Sequence, residues 1–216
     1  SGKSTMMNVL TGIYVPTAGN VLYAGESVVG KTSSDIALSG IARNTTVGEQ
    51  LEAVGVYTAT CYDKDGYEKW VDIAPNLVVN TGLQAMNTQF FTGSAYTAAW
   101  YIGLVNGTSA STTFSGGDTL ATHAGWDENQ QYVGNRKAAS FGTATLADPS
   151  NINNSASAAS FTMNATATIA GAFLTNVASG TTGLLFSAAD FQSPGDRSVV
   201  SGDVLNITYS FNLDAV

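Results

Sequence analysis

The sequence predicts a mainly β fold: an antiparallel β-sandwich or jelly-roll-like domain with one short helix and an extended N-terminal arm. Three observations carry this. Short runs of alternating β-branched and aromatic residues recur from Val54 onward. Turn residues (Gly, Ser, Thr, Asn) separate those runs, the pattern of stacked antiparallel sheets. Charge is scarce: 11% of the 216 residues are charged against 44% hydrophobic, where about a quarter charged is usual.

The expected elements follow in chain order. A short strand is expected at Val21–Tyr23, and the polar stretch from Gly25 to Glu49 reads as an arm or linker. This divides the chain into an arm region, 1–53, and a β domain, 54–216. Val54, Val56, Thr58 and Thr60 alternate with Gly55, Tyr57, Ala59 and Cys61 as a strand. Asp63-Lys64-Asp65-Gly66 is a hairpin turn, and Tyr67–Ile73 is the return strand, with Trp70 as an anchor. The Asp63/Asp65/Gly66 spacing resembles a calcium loop, but Asp72 stands where the bidentate Glu belongs, so a plain turn is the expectation.

After Pro75, Leu77, Val79, Leu83 and Met86 approximate helical spacing, with Asn76 able to cap the start and Gly82 weakening the interior. Strands are then expected at Ala98–Val105, Ala138–Thr145, Ala158–Thr166, Ala167–Thr175, Leu184–Ser187, Arg197–Val200 and Asp203–Leu213, with Ser201-Gly202-Asp203 as a turn.

The composition also limits function. The net charge of -8, from 16 acidic and 8 basic residues, lacks the basic footprint of a nucleic-acid binder. Hydrophobicity this high with charge this low is not the signature of disorder. No apolar run reaches membrane-spanning length, and no signal-peptide pattern opens the chain. One cysteine, Cys61, excludes an intrachain disulfide. One histidine, His123, leaves too few ligands for a Cys/His zinc site, and no G-x-S-x-G elbow accompanies it. His123 beside Trp126 is the one pairing that resembles a site; a structural His against its neighbouring Trp is the expected reading. Trp70, Trp100, His123 and Trp126 are the candidate interface residues. No catalytic residue, cofactor or metal is expected.

Two resemblances add to this. Gly2-Lys3-Ser4-Thr5, Leu10-Thr11-Gly12-Ile13-Tyr14, Pro16-Thr17, Gly19 and Tyr23-Ala24-Gly25 make residues 1–28 similar to the start of the ATP-binding subunits of sugar-type ABC transporters. The stretch opens like the tail of a P-loop, whose amides and Lys hold phosphates. Leu38-Ser39-Gly40-Ile41 is not an LSGGQ signature, and Leu184-Leu185-Phe186 toward Asp190 is too short for a Walker B strand. Without those parts Mg²⁺ and water are not positioned, so no ATPase activity is expected.

From about Val54 to the end, the chain resembles a group of tailed-bacteriophage virion proteins. Cys61–Gly66 with Lys69-Trp70, Asn76–Leu83, Trp100–Leu104, Asp118-Thr119 and His123–Trp126 carry the likeness. Asn154–Ser157, Gly171–Leu174, Gly180–Gly183 and Ser201-Gly202-Asp203 complete it. The resemblance implies a capsid decoration or cement protein, not an enzyme, bound to the major capsid protein on the outer shell. It further implies a homotrimer, assembly in the bacterial cytoplasm, and no nucleic-acid or membrane partner. The alternative it leaves open is a tail or head-fibre component with a glycan-binding tip at Trp126 or Tyr132.

Overall fold

The computed structural model describes residues 22–23, 26–27, 51–93, 99–107, 112–191 and 195–215. The chain divides into two units, Ser1–Gln50 and Leu51–Val216. In the first, β1 (Leu22–Tyr23) pairs antiparallel with β2 (Glu26–Ser27). The transporter-like stretch 1–28 and the expected arm lie outside the described residues, apart from these two strands.

In the second unit, period-two alternation builds the first sheet. Gly55, Tyr57, Ala59 and Cys61 of β3 (Leu51–Tyr62) are buried, while Val56, Thr58 and Thr60 face outward. The turn at Asp63 returns the chain into β4 (Glu68–Pro75). The Asp63 side chain accepts the amides of Asp65 and Tyr67, both at 2.9 Å, and Gly66 takes the left-handed conformation at φ 87°. The Asp63 carboxylate is thus spent on the turn, as the hairpin reading expects.

The chain then forms β5 (Leu77–Val78), and the one α-helix among the described residues of this unit, α1 (Asn80–Thr92). The expected helix is present but starts later than its spacing suggested, and Asn76 does not cap it. Asn76 instead makes the corner: its amide N–H donates to the Gly55 carbonyl and its Nδ2 to the Tyr209 hydroxyl, both at 2.9 Å. Leu77 and Val78 are drawn into a sheet by pairing with Ala188 and Ser187, which overrides their helical spacing. Gly93, left-handed at φ 61°, ends the helix.

The remaining strands are β6 (Tyr101–Asn106), β7 (Glu128–Asn129), β8 (Lys137–Ala138), β9 (Ser150–Asn153) and β10 (Ala159–Thr162). They continue with β11 (Ala167–Thr175), β12 (Leu185–Asp190), β13 (Arg197–Val199) and β14 (Val204–Ala215). The strand expected over Ala138–Thr145 is confined to its first residue; the chain beyond is irregular, and Ser150–Asn153 pairs instead.

The first sheet has five strands in the order β10-β14-β3-β4, with β9 also on β14. Its axis is the ladder of β3 and β14, running from Val204↔Tyr62 to Ala215↔Leu51. The second has seven strands in the order β5-β12-β11-β6-β7, with β13 on β11 and β8 on β6. The pairing is antiparallel throughout, consistent with the predicted β-sandwich.

Two cores result. The larger lies between the sheets: Tyr57, Cys61, Phe161, Ile207 and Tyr209 of the first meet Ile102, Leu104, Ile169 and Leu174 of the second. The smaller covers the other face of the second sheet, where Phe173, Val105 and Leu185 meet Leu120, Trp126 and Val79. Burial on both faces explains why β11 reads Ile-Ala-Gly-Ala-Phe-Leu without alternation.

Candidate functional site

Among the described residues, several buried polar groups tie elements of the sandwich together. Tyr57 places its hydroxyl 2.8 Å from Ser187 Oγ, joining the two sheets, and the Tyr209 ring lies tilted beside it at 4.6 Å between ring centroids. Burial pushes the Tyr57 phenol well above its ordinary range, with nearby Tyr209 adding to it. This Ser–Tyr cluster lies inside the core and reaches no solvent.

Asp72 on β4 is clasped by Arg197 on β13, whose Nη2 donates to Oδ2 at 2.7 Å and whose guanidinium lies 5.3 Å over the Trp70 ring. Arg136 donates through Nε and Nη2 to both Glu128 oxygens at 2.7 Å, a bidentate pair beneath a small polar cleft of about 130 Å³. Asp203 accepts from Lys69 and from the Val200 amide and lies near Cys61. Burial, then Asp203, pushes the Cys61 thiol up to about 11, which keeps it protonated and unreactive at neutral pH.

The candidate interface residues separate on inspection. Trp126 is 2% exposed and packs into the second core against Phe173, so it offers no face to a partner; the sequence expectation for it is corrected. Its Nε1 donates to Asp118 at 3.0 Å, and the His123 ring stacks on it at 3.9 Å, with Nδ1 2.8 Å from the Trp126 carbonyl. His123 is half-buried, its ring held against its neighbour Trp126. Tyr132 is also buried, its ring edge-on to Phe161, so neither residue named for a glycan-binding tip is at the surface. Trp70 and Trp100 are half-buried and pack against the main core.

A site that sequence reasoning missed lies on α1. Its inner side presents Gly82, Ala85, Met86 and Gln89 to the protein. Leu83, Asn87, Phe90 and Phe91 fall at i, i+4, i+7 and i+8, one stripe on the outer side. Phe90 and Phe91 are 84% and 78% exposed, and Leu83 is 42% exposed. Beside the helix runs a groove of about 290 Å³, lined by Ala85, Met86, Trp100, Leu184 and Phe186, with Gln89 and Asn176 as its polar members. A second hollow of about 390 Å³ lies on the Trp100–Tyr101 and Ala138–Phe141 side. The sequence held a signal for this surface: no Asp, Glu, Lys, Arg or His occurs between Asp72 and Asp118.

The exposed α1 face and its groove suit binding by apolar contact. Among the described residues, no three His, Cys, Asp or Glu side chains converge to hold a metal ion, and no helix is long and apolar enough to cross a membrane. Comparison of the chain with protein-family models, with curated proteins and with solved structures returns no match.

Proposed function

We propose that this chain is a non-catalytic capsid decoration, or cement, protein of a tailed bacteriophage. It binds the outer surface of the major capsid shell as an oligomer and holds neighbouring shell subunits together. The observation that carries a binding role is the uncharged helix α1, with Leu83, Phe90 and Phe91 turned outward, a face suited to joining copies of the chain into that oligomer. Exposed aromatic residues on a charge-poor patch are the composition of an interface core. Covering each phenylalanine contributes about 2 kcal/mol. The place of that role, on a phage particle, is supported by the ordered series of sequence blocks from Cys61 to Asp203. The rigid two-sheet sandwich suits a part that must bear load without moving. The mechanism is linkage: a protein that binds the mature shell and not its open form stabilises the mature shell by mass action.

The test is the copy number of the chain in purified particles, by quantitative mass spectrometry against the major shell protein. A ratio near that of the shell protein is expected. A handful of copies would move the chain to the tail or a head fibre, and absence from intact particles would end the structural reading.

A further inference from the structure

We propose that α1 is a self-association surface, on which the outward stripe of one copy seats in the groove beside α1 of a second copy. Three features point to a second copy as the occupant.

The first is charge. With a net charge of -8, two copies repel through any face that carries their carboxylates. The uncharged run between Asp72 and Asp118 contains all of α1 together with Trp100, and the other groove residues, Asn176, Leu184 and Phe186, are neutral as well. Two copies can meet here without facing like charges. A basic partner would find no carboxylate on this surface to pair with.

The second is size. An apolar cavity of about 150 Å³ accommodates one benzene-sized ring. The groove, at about 290 Å³, has room for two. The stripe supplies two, Phe90 and Phe91, whose rings stand edge-to-face at 5.2 Å and so present one compact knob.

The third is that knob and groove belong to the same helix. Ala85, Met86 and Gln89 line the groove, and Phe90 and Phe91 follow within about one further turn. A patch that carries both the projecting and the receiving half is self-complementary, as a two-fold symmetric pair requires. The polar cleft at Glu128–Arg136 has no such pairing, since its charges already satisfy one another.

The inference does not depend on the capsid reading. A free oligomer passes the test below whether or not the chain sits on a shell, and particle copy number tests the capsid reading separately.

The experiment is sedimentation velocity on the full chain over a micromolar concentration series, at low and high salt. The unmodified chain is expected to associate, with no loss at high salt, because the contact is apolar. Phe90→Ser with Phe91→Ser removes the knob, and Ala85→Glu places a charge in the groove. Each is expected to weaken association at least tenfold while leaving the circular dichroism spectrum unchanged. Mixing the two variants is expected to restore a pair, because each supplies the half that the other lacks. Hydrogen exchange on the unmodified chain is the second measurement: α1 amides are expected to gain protection as concentration rises. A chain that stays monomeric, a knob variant that associates like the parent, or α1 exchange that ignores concentration would each overturn the proposal.

Discussion

Gly82→Ala is the most informative perturbation of the fold, because two opposing effects act at one atom. In an isolated helix the change adds about 1 kcal/mol of helix stability. In this protein, Gly82 is the one fully buried residue of α1, and it rests on the backbone of β12. An added Cβ would lie 3.1 Å from the Phe186 carbonyl carbon and Cα, and nearer still to the carbonyl oxygen. That oxygen already accepts the Val79 amide at 3.1 Å, and Thr81 Oγ1 donates to the adjoining Leu185 carbonyl at 2.7 Å. The helix cannot lift without stretching both bonds. Overpacking of this kind costs about 1–3 kcal/mol, and each weakened hydrogen bond about 1 kcal/mol more. The clash wins, and the net loss is about 3 kcal/mol. For a unit of this size that lowers the melting temperature by about 6–12 °C. The assay is thermal and urea unfolding beside Thr88→Ala, an exposed position on the same helix outside the apolar stripe, where propensity acts alone and a small gain is expected. A Gly82→Ala protein as stable as its parent would refute the close-approach argument.

Other outcomes follow from the same geometry. Asn154 is fully buried, and its Oδ1 accepts the Tyr209 amide at 2.6 Å; Asn154→Ala strands that amide and should cost about 1–3 kcal/mol in urea unfolding. Burial, followed by the charges of Asp196 and Asp72, raises the Asp190 carboxyl above its ordinary value. Its ionised form is therefore penalised in the folded state, and stability falls as pH rises from the unfolded toward the folded pKa. Asp190→Asn should accordingly stabilise the protein at neutral pH, with the advantage gone below the ordinary carboxylate range, as urea midpoints at the two pH values will show. Cys61 should resist thiol reagents in the native protein and react on unfolding; rapid native labelling would contradict its buried, protonated state.

Local chemistry was legible wherever one stretch of chain decided the outcome by itself. The Asp63–Gly66 turn rests on one carboxylate capping two nearby amides. The alternation in β3 and β14 follows from a sheet with one face on the core, and β11 was recognisable as a strand from its β-branched and apolar run. The absence of a Cys/His metal set follows from counting Cys61 and His123.

Tertiary structure decided the rest, because the deciding partners lie far along the chain. Leu77 and Val78 became strand rather than helix through Ser187 and Ala188, and Asn76 became a corner rather than a cap through Gly55 and Tyr209. Trp126 reads as an interface aromatic in isolation, yet Phe173, nearly fifty residues on, buries it. The reverse holds for Phe90 and Phe91. Their spacing is that of a core-facing helix, and only the packing of Gly82 and Met86 against β12 turned that stripe outward. Residue type and spacing set which side chains share a face, but which face meets the core depends on contacts that no local stretch of sequence contains.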